Sequence, residues 1–431
     1  MRRYSTIAAL FVLAGLLGER AAFAGELERA HPEADGAHDH DQAPQAVDFA
    51  TVIGAVPARA DLELARRAAT AGSGHLAAVG AAGTWLLQAY PSVRLAPDLG
   101  AELQGGVQKN IPMEDLAGGR RAALRAEAAV LRARVDTDML SARLDAARAF
   151  FALWTAAEIQ RLLLAELKAA EATVEVARRA RGVGAGSAHD VAEAEAVHAE
   201  LQSRAVEIEH ALHHAGIELA RATGLPFARS LRARGPLPEP PLPKGPALAA
   251  ALERARQSPP VRLAALERDA ARARAAEARA GRGSWLQVGG WAELGTPGDA
   301  TFRLTLGWQT GSRSQNAREE AAAAREDAAH QAQVARLRRD AEATLLDASH
   351  EVHHSARALE LLRTRWLPAA ERRLALRKAA LAAGAGRRVE VVAAERALLQ
   401  ARIEEVRLQA AARWAAVQLW LLLRRAEEEP R

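Results

Sequence analysis

The chain has no cysteine among its 431 residues. Disulfides, zinc–thiolate sites and a lipidated N-terminal cysteine are thereby excluded. Aromatic residues are scarce at 4 %, while Ala, Leu, Arg and Glu dominate. That composition builds long helices packed through small side chains, not a thick globular core. Long hydrophobic runs are also missing. The apolar stretch Ile7–Leu17 is too short to span a bilayer, and "WAAVQLWLLL" near the C-terminus is about half a membrane helix. There is no block of one charge. Arg and Glu alternate along the chain, the formal net charge is +5, and no aromatics are interleaved with the arginines. These features describe solvated helix faces and argue against a nucleic-acid partner. A nucleophile elbow, a phosphate loop and an HExxH string are all absent, so neither an enzyme nor a cofactor is expected.

What is present begins with an export signal. Arg2 and Arg3 precede the short apolar stretch, and Ala22-Phe23-Ala24 fits the small-x-small cleavage pattern, so residues 1–24 read as a signal peptide. Residues 25–56 are polar and lack periodicity, the pattern of a disordered segment. Within them His31, His38 and His40 are interleaved with Glu33, Asp35, Asp39 and Asp41. Imidazole and carboxylate suit zinc, copper or nickel, which makes these histidines a weak metal-capture candidate.

The rest of the chain is written twice. "GAGSAHDVAEAEAVHAEL" begins at Gly184 and "GAGRRVEVVAAERALLQA" at Gly384, 200 residues apart. Gly83-Thr84-Trp85-Leu86 and Gly283-Ser284-Trp285-Leu286 keep the same spacing. Residues 57–224 form a first repeat: a short helix, two strands, a long helix over Gly119–Arg181, a Gly turn, and a helix over Ala188–Thr223. Residues 225–246 are a Pro-rich linker. Residues 247–425 repeat the order with a helix over Ala247–Ala280, two strands, a long helix over Gln315–Ala383, the turn, and a helix over Val389–Arg425. Residues 426–431 are a tail.

The strand regions alternate with period two. Phe302, Leu304, Leu306 and Trp308 oppose Thr301, Arg303 and Thr305, and Ala101, Leu103 and Val107 oppose Glu102, Gln104 and Gln108. Runs of about 9–12 residues match tilted transmembrane strands. Trp285, Trp291 and Trp308 are candidates for an interfacial girdle. Four strands cannot close a barrel, and open edges in lipid leave unpaired backbone groups. Several chains would have to share one barrel, with Glu102, Gln104 and Arg303 on its lumen side. A small soluble sheet packed on helices is the other reading of the same pattern.

Roughly 65 helical residues make a rod of about 100 Å, and the returning helices are about 55 Å. Each Gly-Ala-Gly is then the tip of a helical hairpin, where glycine takes φ > 0 and the chain reverses. The candidate tip residues for docking or gating are Gly184, Gly186, Ser187 and Asp190 in the first copy. In the second they are Gly384, Gly386, Arg387, Arg388 and Glu390. Asp190 also has a capping role open to it. The trios His210, His213, His214 and His350, His353, His354 share one spacing and stand at similar heights, so a histidine ring is a further candidate.

In this order of elements, the chain resembles the TolC-like outer-membrane efflux factor family. The tips resemble that family's G-x-x-S/T-x-x-D-V-L-x-A-E pattern through Asp190-Val191 with Glu195 and Glu390-Val391 with Glu395. "GVQKNIPMEDLAGGRRAA" resembles the strand-to-helix junction of the heavy-metal, CzcC-like branch through Gln108, Ile111, Pro112, Gly118, Gly119 and Arg120, with an insertion. The second tip departs at Arg387 and Arg388. The resemblance implies a mainly α fold with a small β part: long antiparallel coiled-coil hairpins in two tandem repeats, with four strands per chain entering a trimeric twelve-stranded barrel. It further implies a homotrimer in outer-membrane lipid whose tips dock on a periplasmic adaptor bound to an inner-membrane pump of the resistance-nodulation-division type. The expected role is a passive duct for substrate, heavy-metal cations first. A duct for drugs or type I protein secretion, and a soluble periplasmic scaffold or adaptor, are the alternatives.

Overall fold

The computed structural model describes residues 45–74, 84–94, 100–113, 115–226, 231–242, 246–294, 300–310 and 313–423. Chain contacts divide it into two units. Ala46–Phe227 with Leu231–Arg431 carries the elements below; of Met1–Gln45 with Ala228–Ser230, only Gln45 is described.

The order is β1 (Gln45–Val47), α1 (Phe49–Ala55), a 3-10 turn (Val56–Ala58), α2 (Ala60–Gly74), β2 (Thr84–Arg94), β3 (Gly100–Pro112), α3 (Leu116–Gly182) and α4 (Ala188–Thr223). The second half follows with β4 (Leu231–Ala233), α5 (Pro246–Ala255), α6 (Pro259–Gly281), β5 (Trp285–Leu294), β6 (Ala300–Gln309), α7 (Arg313–Leu361), a π turn (Leu362–Trp366), α8 (Leu367–Ala382) and α9 (Arg388–Leu423). No helix of the described residues is long and apolar enough to cross a membrane.

α3 runs 67 residues without a break, about 100 Å at 1.5 Å per residue. Asp115 caps its start by accepting from Gly118 N at 2.8 Å. α3 packs on α4 beyond its middle and on α2 and α6 nearer the sheet. The seams are Ala-rich, with Ala123, Ala128, Ala133, Ala142, Ala146 and Ala147 of α3 all buried. Small side chains let helix axes approach closely. The core is thickest around Phe150, Leu153, Leu219 and Val417, where α1, α3, α4 and α9 meet. Phe49, Phe150, Phe151 and Trp414 form the aromatic cluster there.

The segment expected to be disordered through residue 56 is ordered from Gln45 onward, because Val47, Val52 and Val56 are buried in the core. Two expected helices are interrupted. Pro259 and Pro260 split the expected Ala247–Ala280 helix into α5 and α6, with Ser258 between them. Proline has no N–H to give and clashes with the preceding turn, so it opens a helix instead of continuing one. The expected Gln315–Ala383 helix passes through the π turn just before Pro368. Widening the turn accommodates the hydrogen bond that proline cannot donate. The companion helix α6 also spans the halves, packing on α7 of the second half and on α3 of the first. Arg274–Glu127, Arg134–Glu267 and Arg262–Asp136 pair it with α3, and Arg272–Asp327 and Arg279–Glu320 pair it with α7.

The four-stranded sheet has the order β2-β3-β5-β6, all antiparallel. The first and second halves of the chain join at β3–β5, and β2 and β6 are the edges. The register aligns Val107, Gly290 and Leu304 in one row and Gly106, Trp291 and Arg303 in the next. The apolar positions read separately from β3 and β6 therefore fall on one face of one sheet. On β6 that face is open: Phe302 is 83 % exposed, Leu304 90 % and Leu306 79 %. Trp308 belongs to it, but Trp285 and Trp291 do not. By the same register they alternate onto the polar face with Gln287 and Glu293, which corrects their assignment to a girdle beside Trp308. Trp285 Nε1 donates to the Gly281 carbonyl at 3.1 Å, tying the sheet to the end of α6. Trp291 lies across Gly106, where a Cβ would come within 2.5 Å of the indole.

Candidate functional site

The two tips are built alike. Gly184 has φ 75° and Gly384 φ 74°. Ala185 N donates to the Ala180 carbonyl at 2.8 Å and Gly184 N to Arg181 at 3.0 Å. In the second tip Ala385 N donates to Ala380 at 2.9 Å and Gly384 N to Leu381 at 3.0 Å. This 6→1 and 5→2 pair is a Schellman ending. At the αL position an L side chain costs about 1–2 kcal/mol, which is why glycine stands there twice. Gly186 and Gly386 are needed for a different reason: a Cβ on either would press into the helix just left, at Ala180 and Leu381 respectively.

The tips diverge at the start of the returning helix. Ser187 Oγ accepts from Asp190 N at 3.1 Å, Asp190 Oδ2 accepts from Ser187 N at 2.9 Å, and the two side chains bond at 2.6 Å. This is a closed capping box. The Ser187 hydrogen bonds, aided by the nearby charges of His189 and Arg388, hold the Asp190 carboxyl below its usual range. In the second tip Arg387 occupies the serine position. Glu390 N donates to the Arg387 carbonyl at 3.1 Å, and the Glu390 carboxylate turns to Arg377 at 2.8 Å.

Ion pairs repeat with the tips. Arg178 meets Glu195 at 2.8 Å, and Lys378 meets Glu395 at 3.0 Å. Both partners stand 200 residues from their counterparts. The acidic members were visible in the repeated motif. Their cationic partners lie on the opposite arm, and only the repeat register would have pointed to them. The hairpins also touch each other. Arg388 of α9 donates to Thr173 Oγ1 of α3 at 3.3 Å, and Arg396 pairs with Glu200 of α4 at 2.8 Å. Nearby, burial raises the Glu166 carboxyl above its usual value, and the Glu395 charge adds to the shift.

On the sheet, Gln104 is in register with Glu293, Glu102 with Ser92, and Arg303 with Trp291. These are positions of the polar face. Arg303 reaches diagonally to Glu293 at 3.8 Å. His31, His38 and His40 lie outside the described residues. The two helical histidine trios lie on α4 and α7. Among the described residues no three His, Asp or Glu side chains converge as metal ligands. His210 and His214 line a groove with Arg148, Arg407 and Trp414, while His350 stacks on His354.

No family model and no curated protein matches the chain. Solved structures do. CusC, studied for the conformational changes that accompany its folding and transmembrane channel formation, superposes with a TM-score of 0.75 at 15 % identity over 90 % of this chain and 95 % of that one. The outer-membrane channel OprN gives 0.73 at 15 % identity, covering 87 % and 89 %. The open state of the Neisseria gonorrhoeae MtrE outer-membrane channel gives 0.71 at 18 % identity, covering 87 % and 88 %. Mainly helical, with a small sheet and two Gly-tipped hairpins, the chain has the fold of the TolC-like outer-membrane channels.

Proposed function

We propose that three copies of this chain form a passive outer-membrane duct of a tripartite efflux pump. The observation that carries this reading is the sheet. It has four strands, two open edges, one apolar face standing in solvent on β6, and a helical hairpin body behind it. A lone sheet of this kind cannot enter lipid with its edges unpaired. Joining β6 of one copy to β2 of the next closes twelve strands and pairs every edge. The exposed Phe302, Leu304, Leu306 and Trp308 then meet lipid, and Glu102, Gln104, Arg303 and Glu293 line the bore, screening cargo by charge and width. The helices carry the bore through the periplasm, and the tips dock on an adaptor that an inner-membrane pump drives.

On this reading residues 1–24 direct export and are removed. Residues 57–224 and 247–425 act as two repeats hinged at 225–246. Heavy-metal cations are the favoured cargo, supported by the junction string around Gln108–Arg120 and by the His- and acid-rich stretch His31–Asp41. The role of the channel itself is transport without chemistry.

Membrane fractionation of the full chain, followed by native mass measurement in detergent, tests the duct. A trimer in the outer-membrane fraction is expected. Recovery as a single copy in plain buffer overturns it and favours a soluble scaffold. Leu304→Arg and Leu306→Arg each place a charge on the lipid side, at a cost of about 2–4 kcal/mol near the bilayer midplane. They should abolish membrane-inserted trimer, whereas Arg303→Leu should leave insertion intact. Deletion strains challenged with metals and drugs separate the cargo readings.

A further inference from the structure

We infer that His350 and His354 form a two-imidazole chelating site for a borderline divalent transition-metal cation, with Cu2+ the tightest ligand. The inference is independent of the pore.

The two residues lie four apart on α7, which stacks their side chains one turn above each other on the same side of the helix. Their ring centroids are 6.2 Å apart and the rings are inclined by only 20°. Both side chains are exposed. The opposite side of α7 at this level is buried or half-buried, with Leu345, Ala348 and Val352 set into a cluster containing Ala251 and Leu419. The helix is thus held by packing on α5 and α9 while the ring pair stands free of it. Small side-chain rotations bring two ring nitrogens onto one ion at metal–nitrogen distances of about 2.0–2.1 Å. With the backbone already rigid, little ordering cost attends the chelation.

The chemistry narrows the ligand. Among the described residues no third His, Asp or Glu joins the pair, so water completes the coordination and a closed structural zinc site is excluded. Neutral imidazoles favour copper, nickel and zinc, and the affinity order puts Cu2+ first. Calcium and magnesium prefer oxygen ligands and are disfavoured. Two alternatives are weaker. His353 already directs Nδ1 to the Ser349 carbonyl at 2.8 Å and points off the row. His210 and His214 have the same spacing, but Arg148, Arg407 and Glu218 line their groove, where two guanidinium groups outnumber the one carboxylate and oppose a metal cation.

The test is a Cu2+ titration of the full chain purified in detergent, read by calorimetry and by electron paramagnetic resonance below one equivalent. His350→Gln and His354→Gln should each remove one bound equivalent or weaken it at least tenfold, and reduce the number of coupled nitrogens. His353→Gln should change neither readout. Unaltered circular dichroism confirms that each variant is folded. Unchanged stoichiometry in both His350→Gln and His354→Gln, with the metal held by other histidines, overturns the site. An equal loss in His353→Gln also overturns the pairing.

Discussion

The two hairpin tips share one backbone and differ in one cap. Both end their outgoing helix in the same Schellman geometry on a glycine near φ 75°, and both brace their arms with a cation–glutamate pair at matching positions. Only the first closes a capping box, through Ser187 and Asp190. The second carries Arg387 there and commits Glu390 to Arg377. Backbone reversal is therefore the requirement common to both copies, and the cap is where they have specialised. A tip with its own cap is internally satisfied. One that presents Arg387 and Arg388 offers charge outward instead, and Arg388 already spans to Thr173 of the other hairpin.

Substitutions can break that comparison, beginning with the largest effect. A Cβ at residue 386 would sit 2.8 Å from the Leu381 backbone nitrogen, whereas the nearest atom at residue 186 is the Ala180 Cβ at 3.1 Å. Gly386→Ala should therefore loosen its tip by about 2–3 kcal/mol and Gly186→Ala by about 1, measured as local opening by hydrogen exchange. Equal losses would mean the two turns are packed alike. Next, Gly184→Ala and Gly384→Ala should cost the same, about 1–2 kcal/mol each, because both glycines have open space around Cβ and differ from alanine only in backbone conformation.

The caps should respond in opposite directions. Ser187→Ala should cost about 1 kcal/mol, and Arg387→Ser should stabilise the second tip by a similar amount, since Glu390 then completes a Ser-x-x-Glu box. Hydrogen exchange of the first-turn amides of α4 and α9 reads both. Acidity sharpens the contrast further. The Asp190 carboxyl is depressed from 3.8, so its contribution is present above that value and is lost as pH falls through the folded-state value. Asp190→Asn should flatten the acid limb of the first tip. Glu166 has the opposite sign. Its value is raised from 4.5, so the folded state takes up the proton more readily, and its penalty grows as pH rises through the raised value. Glu166→Gln should raise the melting temperature at neutral pH and have no effect in acid. The smallest effects belong to the braces. Arg178→Met and Lys378→Met remove exposed pairs worth about 0.2–1 kcal/mol, and double-mutant cycles with Glu195→Gln and Glu395→Gln should give similar couplings.

Much of this was legible locally. The returning helix was expected at Ala188–Thr223 and stands there, because Ser187 starts it and Gly224 ends it in the αL conformation. The apolar phases of β3 and β6 were readable because period-two alternation needs no knowledge of neighbours. The breaks at Pro259-Pro260 and before Pro368 also had local signals, masked by an Ala/Leu/Arg pattern that otherwise runs straight through them. The placement of Trp285 and Trp291 was not legible, because a strand's facing depends on the register it takes with its neighbour.

Helix length, the two reversals and the strand alternation were determined by the sequence itself, since propensity, glycine conformation and side-chain period act within a few residues. Tertiary structure alone decided that α6 bridges both halves of the chain, that Arg388 and Arg396 link one hairpin to the other, and that His350 stacks on His354 while His210 and His214 share a groove with Arg148, Arg407 and Glu218. An alanine seam packs against any other alanine seam equally well. Which helices meet is settled only when long-range ion pairs and the shared sheet bring distant segments together.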